Sequence, residues 1–187
     1  MDAVTVFAQL DRELWLVTAC AGARRGGLIA TFVNQASIVP EAPRMLVGLA
    51  RHHYTWELIE ASNAFALHLF DEEHLDWVWR FGLRSGREQD KLAGLTHRSG
   101  TTGSPLLSDA LGWLDCRVEA RLDTGDRTVY LAEVVQAELS CQTQPLTVKR
   151  LLQLAPPDKL RELKDQMTRD STVDAEAIRL WRQRAAE

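Results

Sequence analysis

Residues 113–139 read WLDCRVEARLDTGDRTVYLAEVVQAEL and contain the clearest strand pattern in the chain. Two long segments, residues 113–122 and 128–139, are rich in branched and aromatic side chains that fit a half-buried pleated surface. Between them stands the sequence DTGD, which is typical of a tight turn because glycine and aspartate accept the required backbone angles. The pattern predicts a long β-hairpin, and therefore a fold built on an antiparallel sheet.

Other parts of the chain add shorter elements to this hairpin. Further strands are predicted at residues 14–20, 28–35, 45–49 and 64–69, and the glycine-rich residues 21–27 are predicted to be a turn. Short helices are predicted near the N-terminus, at residues 55–61 and at residues 71–81. About six strands with few long helices favour a closed or nearly closed antiparallel barrel.

The composition changes after Pro145. Pro156-Pro157 breaks the chain, and Asp158 can cap a helix that carries Leu160, Leu163 and Met167 on one side. A second helix is predicted from Asp174, with Ile178 and Trp181 at helical spacing. We therefore divide the chain into a β domain at residues 1–144 and a helical extension at residues 145–187, and we expect the extension to dock through its apolar stripes.

The overall composition excludes several classes of function. The chain has 187 residues, a formal net charge of -4 and no block of Lys and Arg, so no nucleic-acid partner is expected. No apolar stretch reaches the length of a membrane helix, and the N-terminal residues do not resemble a signal peptide. We expect a cytoplasmic protein with no membrane contact, in which the three cysteines are reduced thiols.

Familiar catalytic motifs are missing as well. The chain has no G-x-G-x-x-G motif, no phosphate-binding P-loop and no G-x-S-x-G nucleophile turn. The five histidines form no H-x-x-x-H pair and do not stand near cysteine at ligand spacing, so no metal site is predicted. A cofactor that carries its own chemistry would remove the need for such motifs.

Several segments, in order, resemble the flavin reductase-like FMN-binding split barrels. They are GLIATFVNQASIVP at residues 27–40, HYTWELI at 53–59, NAFALH at 63–68, FG at 81–82, DKLAGL at 90–95, SPLL at 104–107, WLDCRV at 113–118 and GDRTVYLAEV at 125–134. The resemblance covers about residues 12–140. It implies a mainly β fold, an FMN-binding split β-barrel, here with a C-terminal helical extension.

The resemblance also implies a flavin site and a set of partners. FMN is the expected cofactor, with FAD as an alternative flavin and NAD(P)H as the co-substrate that donates hydride. A homodimer is expected, and a partner monooxygenase is a possible electron acceptor. The implied cofactor-binding residues are Ala30, Thr31, Asn34, Gln35, Ala36, Ser37, Arg51, His53, Tyr54, Thr55 and Phe81.

The residue types in this set suit a phosphate and a ring. Hydroxyl and amide side chains from Thr31 to Ser37 can donate to a phosphate, as can backbone amides that leave a strand. Arg51 and His53 would add positive charge, and Phe81 would lie against the flavin ring. The alternative for each residue is structural: an exposed strand face for Thr31, a solvated loop for His53, and the core for Phe81.

One residue departs from the family pattern. Arg127 follows Gly125-Asp126 where the family commonly has histidine, and it is our candidate catalytic residue because a fixed charge would stabilise reduced flavin. Its alternative role is a salt bridge to Asp123 or Asp126. This departure keeps a second hypothesis open, an FMN-binding electron carrier without efficient NAD(P)H oxidation. A third is a split barrel that has lost flavin and serves as an interaction module.

Overall fold

The computed structural model describes residues 3–185, and within this range it contains nine strands and five α-helices. The strands are Trp15–Ala21 (β1), Arg24–Ala30 (β2), Val33–Gln35 (β3), Arg44–Ala50 (β4), Ala64–Leu69 (β5), His97–Ser99 (β6), Pro105–Leu107 (β7), Gly112–Asp123 (β8) and Arg127–Leu139 (β9). The helices are Ala3–Phe7 (α1), Tyr54–Ser62 (α2), Leu75–Gly82 (α3), Val148–Leu154 (α4) and Pro157–Arg184 (α5).

Seven of the strands form one curled antiparallel sheet. Its order is β2-β1-β5-β8-β9-β4-β3, and the small β6-β7 pair stands apart from it. The two edge strands, β2 and β3, follow each other in the chain and are joined only by Thr31 and Phe32. The sheet therefore curls into a half-barrel, which confirms the predicted split-barrel fold class.

The β8–β9 hairpin is the longest pairing in the sheet, as residues 113–139 predict. Gly112 pairs with Leu139 at its open end and Asp123 with Thr128 near its turn, with register shifts at Asp115/Cys116 and Val118/Ala120. Gly125 in the turn has a φ of 94°, a left-handed conformation that a side chain resists. The turn glycine is therefore a requirement of the hairpin.

Two predictions near the first hairpin are wrong. The turn predicted at residues 21–27 is shorter, since β2 already begins at Arg24, and the strand predicted at residues 28–35 is broken into β2 and β3. Gly27 belongs to a strand because other chain segments approach it closely. A Cβ there would lie 2.9 Å from the Val17 carbonyl oxygen and 3.1 Å from the Phe81 ring.

The buried side chains form two main clusters. One fills the barrel, with Phe65, Leu67 and Tyr130 among its members. The other lies between the sheet and the helices and includes Leu16, Phe70 and Phe81, with Leu160 and Leu163 of α5 packed against it. The prediction that the C-terminal segment docks on the barrel is confirmed for Leu160 and Leu163, whereas Met167 of the same predicted stripe is 69% exposed.

The prediction of two separate tail helices is wrong, because α5 runs without interruption from Pro157 to Arg184. Asp174 does not cap a second helix; its carboxylate pairs with Arg127. The division of the chain at residue 144 stays a prediction. No helix in residues 3–185 has both the length and the apolar composition that a membrane crossing requires.

Candidate functional site

A cavity of about 1270 Å³ lies between the barrel and α5. Its barrel side is formed by residues 52–55 and 81–88 together with Arg12 and Thr31, and its other side by residues of α5 between 160 and 172. Binding sites for small molecules are commonly concave and about 300–1000 Å³ in volume, so a large organic ligand would fit here. We call the boundary between the barrel and α5 the seam. It comprises the walls of this cavity and the contacts of Arg127 with α5.

The segment from Arg51 to Thr55 brings two imidazoles to the cavity wall. β4 ends at Ala50 and α2 begins at Tyr54, so His53 occupies the N-cap position with extended backbone angles. Its side chain makes no capping hydrogen bond. Burial, and then the neighbouring His52, lower the pKa of His53 to about 4. The His53 imidazole is therefore neutral near pH 7 and not engaged by its own helix.

A lysine fixes the loop that follows α3. The Lys91 ammonium is buried and donates to the carbonyl oxygens of Phe81 and Arg84, both at 3.0 Å. Burial lowers the pKa of Lys91 to about 8, which leaves it mostly charged at neutral pH. Gly86 in the same loop lies so close to Tyr54 that a Cβ would come within 2.7 Å of the ring. These contacts hold residues 81–86 at the cavity wall.

Charged groups connect α5 to the barrel at one end of the seam. The Arg127 guanidinium contacts the Asp174 carboxylate at 2.6 Å and the Asp126 carboxylate at 3.0 Å. His52 stands between two carboxylates of α5, with Nε2 3.4 Å from Asp170 and Nδ1 3.5 Å from Asp174. Burial raises the pKa of Asp174, while the charge of Arg127 opposes this shift.

Three buried polar atoms of residues 3–185 have no hydrogen-bond partner: Arg12 Nε, His52 Nε2 and Asp174 Oδ1. Arg12 and His52 line the large cavity, and Asp174 lines a smaller neighbouring cavity of about 320 Å³ that His52 also reaches. An unpaired buried polar group costs about 1–3 kcal/mol of folding free energy. The clustering of three such atoms at the seam is typical of a site where a ligand supplies the missing hydrogen-bond partners.

The structure separates the implied site residues into two groups. Those that line the large cavity are Thr31, His53, Tyr54, Thr55 and Phe81. Those outside its lining are Ala30, Asn34, Gln35, Ala36, Ser37, Arg51 and Arg127. Arg51 lines the smaller cavity and pairs with Asp123 at 2.9 Å.

The segment after Thr31 uses part of its polar capacity locally. The Gln35 amide donates to the Ser37 carbonyl oxygen, and the Ser37 hydroxyl accepts from the backbone N–H of Val39. Asn34 and Gln35 are exposed on the edge strand β3. Their predicted role in holding a phosphate therefore stays a prediction.

Several residues at the seam carried no signal in the sequence as binding residues. Arg12 precedes the first strand, Lys91 lies in a loop, and Asp170 and Asp174 belong to the helical extension. Arg12, Asp170 and Asp174 reach the seam through contacts between segments far apart in the chain, whereas Lys91 is held by the nearby carbonyl oxygens of Phe81 and Arg84. A spacing rule cannot find such a set, although an isolated arginine beside a buried strand is a signal worth testing.

A comparison with protein families identifies the family of the chain. The model of the family described as flavin reductase like domain matches residues 7–150. The chain belongs to this family. The family predicted from residues 27–40 and the later segments is therefore confirmed.

Curated relatives of this flavin reductase-like protein differ widely in length. A high molecular weight rubredoxin of Moorella thermoacetica is 31% identical over 140 residues, which are 74% of this chain and 60% of the relative. A diflavin flavoprotein of Synechocystis is 26% identical, and the match covers 74% of this chain but 24% of that protein. A ferric-chelate reductase (NAD(P)H) of Archaeoglobus fulgidus is 29% identical over 77% of this chain and 85% of its own length.

Solved structures support the fold. Nitrilotriacetate monooxygenase component B from Mycobacterium thermoresistibile aligns with a TM-score of 0.68 at 24% identity, covering 79% of this chain and 84% of that chain. An NADH:FAD oxidoreductase of Streptomyces globisporus aligns with a TM-score of 0.69 at 21% identity, covering 78% and 88%. At these identities the likeness concerns the fold.

Proposed function

We propose that the flavin reductase-like protein binds FMN in the cavity at the seam and works as an NAD(P)H-dependent oxidoreductase. The observation that carries the proposal is the cavity of about 1270 Å³ lined by Arg12, whose buried Nε has no hydrogen-bond partner. A phosphate would supply the missing acceptor, and charge-assisted hydrogen bonds of this kind are among the stronger ones in proteins. The Thr31 hydroxyl, on the same cavity wall, is the second candidate donor.

The rest of the cavity fits a flat aromatic ring. Tyr54 lines the cavity with a half-buried ring, whereas Phe81 is a core residue with 1% of its surface exposed, and Thr55 adds a buried hydroxyl. His53 would act as a neutral hydrogen-bonding group, since its pKa of about 4 keeps it uncharged. Flavin itself supplies the hydride chemistry, so the chain has to bind the cofactor, orient it and exclude water. The cover of α5 over the cavity serves the last of these tasks.

Arg127 acts through α5 in this proposal. Its guanidinium is engaged by Asp126 and Asp174, and it lies 4.9 Å from the centre of the Phe32 ring. We therefore regard Arg127 as a positioning residue that holds α5 over the cavity. The same contacts favour the second candidate function, an FMN-binding electron carrier, because a doubly paired arginine replaces the family's histidine.

The names of relatives support the proposed co-substrate and one proposed partner. The names of two of them include NADH or NAD(P)H, which supports a nicotinamide co-substrate here. Another is a component of a monooxygenase, which supports a monooxygenase as one possible acceptor of electrons. FMN is preferred over FAD in our proposal, and a homodimer remains part of it.

Anaerobic spectroscopy tests the proposal. We expect FMN to bind in preference to riboflavin, and NADH or NADPH under argon to bleach the visible absorption of the bound flavin. Riboflavin binding as tight as that of FMN would contradict a site centred on phosphate. Bound FMN that nicotinamides reduce very slowly would favour the electron carrier. A protein that takes up no flavin would favour an interaction module.

A further inference from the structure

Three side chains at the seam form a compact group of metal-ligating atoms. His52, His53 and Asp170 each offer one such atom, and these atoms lie within 4.8 Å of one another, the one such group among residues 3–185. The two histidines belong to the loop before α2, whereas Asp170 belongs to α5. We propose that these three residues bind a divalent transition-metal ion of the zinc class, which ties α5 to the barrel. The inference does not rest on the proposed flavin site, although all three residues also line that cavity.

One distance within the group matches a metal site better than a hydrogen bond, and the remaining ligand atoms lie within 4.8 Å of one another. His52 Nε2 lies 3.4 Å from Asp170 Oδ1, yet this nitrogen is buried and has no hydrogen-bond partner. Zinc binds nitrogen and oxygen ligands at about 2.0–2.2 Å in tetrahedral geometry, which places two ligand atoms about 3.3–3.6 Å apart. One ion would therefore give the unpaired nitrogen a partner without moving either side chain far.

The second nitrogen of His52 faces a carboxylate, although the two atoms do not form a hydrogen bond in this structure. His52 Nδ1 faces Asp174 Oδ1 at 3.5 Å, and the other oxygen of Asp174 is held by Arg127 at 2.6 Å. Histidine ligands commonly donate their remaining N–H to a carboxylate, which fixes the ring and raises its basicity. Asp174 is thus a positioning residue for His52, and Arg127 holds Asp174 in place.

The ligand types select the ion. Two imidazoles and one carboxylate suit zinc and similar ions, whereas magnesium prefers an all-oxygen shell. Three protein ligands leave one tetrahedral position for water, which the adjoining cavity can supply. Because the ligands come from the barrel and from α5, the bound ion would restrain the helix over the cavity.

Calorimetric titration with zinc tests the site on the untagged full chain. Every protein carries Cys141→Ser, because the exposed thiol of Cys141 would itself bind zinc. We expect one equivalent of zinc to bind, and magnesium not to compete. Asp170→Asn and His52→Gln should each weaken zinc binding at least about 10-fold, and Asp174→Asn should weaken it with the stoichiometry kept.

Two matched variants serve as controls. Asp165→Asn removes an exposed carboxylate from the same helix, and His74→Gln removes a histidine that pairs with a single carboxylate, Asp71. Both should bind zinc like the parent protein. If His52→Gln does not fold, Asp170→Asn decides, since its side chain is partly exposed. Zinc binding that is absent in the parent, or unchanged in Asp170→Asn, would overturn the proposal.

Proteolysis measures the structural consequence of metal binding. Zinc at saturating concentration should slow tryptic cleavage within α5 in the parent protein and leave the rate unchanged in Asp170→Asn. An equal slowing in both proteins would mean that zinc acts on the protease or elsewhere on the chain, and would contradict the proposed tie.

Discussion

Buried polar groups have hydrogen-bond partners in the barrel, whereas three buried polar atoms at the seam lack them. In the barrel, the His68 ring contacts the Leu16 carbonyl oxygen and accepts from the N–H of Leu107, both at 3.1 Å. Asp115 is fully buried and accepts from the N–H of Thr102 at 2.9 Å. At the seam, Arg12 Nε, His52 Nε2 and Asp174 Oδ1 are buried without a hydrogen-bond partner.

This difference distinguishes polar groups that serve the fold from those that serve a ligand. The hydrogen bonds of a paired buried group offset most of its desolvation free energy, so removing the group should lower stability. An unpaired group costs stability as long as nothing binds, so removing it should spare the fold and weaken binding. The contrast can be measured with one variant in each region. Loss of the barrel residue should lower stability, and loss of the seam residue should weaken ligand binding without lowering stability.

Arg12→Leu should produce the largest effect on binding. Loss of a half-buried charged donor to phosphate is expected to weaken FMN binding by about 3 kcal/mol, or roughly 100-fold in Kd. The free energy of unfolding of the flavin-free protein should stay the same or rise. Fluorescence titration and urea denaturation measure the two quantities. Arg24→Leu, which removes an exposed arginine from β2, is the control and should bind FMN normally.

His68, in contrast to Arg12, should contribute to stability, and its contribution should depend on pH. Burial lowers the pKa of His68 to about 4, below its ordinary value of 6.5, so the unfolded chain takes up the proton first. Its contribution is therefore fully present at high pH and is lost as the pH falls from about 6.5 towards 4. Between pH 7 and 5 the expected loss is about 2 kcal/mol.

Denaturation of His68→Asn at these two pH values tests this prediction. The variant should be less stable at pH 7 but should lose about 2 kcal/mol less than the wild type on acidification. His97→Gln, which removes a half-buried histidine and keeps His68, should lose as much as the wild type. A wild-type pH dependence in His68→Asn would assign the acid sensitivity to other groups.

Gly125→Ala should loosen α5 by a smaller amount. A Cβ at Gly125 would lie 2.6 Å from Trp181 Cβ, and its φ is 94°. Gly103 has a similar φ of 90° but open space around it, so Gly103→Ala isolates the backbone strain. Gly125→Ala should be about 1–2 kcal/mol less stable than Gly103→Ala and be cleaved faster within α5. Equal behaviour of the two variants would mean that the turn does not support the helix.

Structural features that form between residues close in the chain can be predicted from the sequence. Features that depend on packing between distant segments cannot. The β8–β9 hairpin and β5 follow from local alternation and turn residues, and the structure has them nearly as predicted. β2 is not predictable in this way, since Gly26 and Gly27 resemble a turn until packing against Tyr54 and Phe81 is known.

The site divides along the same line. Thr31 and residues 53–55 belong to segments that resemble the family, and they do line the cavity. Asp170 and Asp174 contact His52 only because α5 folds back over the barrel. The spacing of these residues in the sequence does not predict that contact. Local patterns therefore predict the barrel wall of the site, whereas its helical wall requires the tertiary structure.

Ser37→Ala should have the smallest effect and thereby separates two positions for the phosphate. Ser37 lies outside the cavity lining, so a phosphate at Arg12 predicts a change in FMN binding below about 0.5 kcal/mol. A phosphate held by residues 34–37 predicts a loss of about 1–3 kcal/mol. The same flavin titration decides between the two positions.

Hydrogen–deuterium exchange with and without FMN tests most directly whether flavin binds at the seam. Binding in the cavity predicts slower exchange in peptides that cover residues 52–55, 83–88 and 160–172, the segments that line it. Peptides that cover residues 33–39 should change little. Protection confined to residues 33–39, with α5 exchanging as fast as in the flavin-free protein, would contradict a flavin site between the barrel and α5.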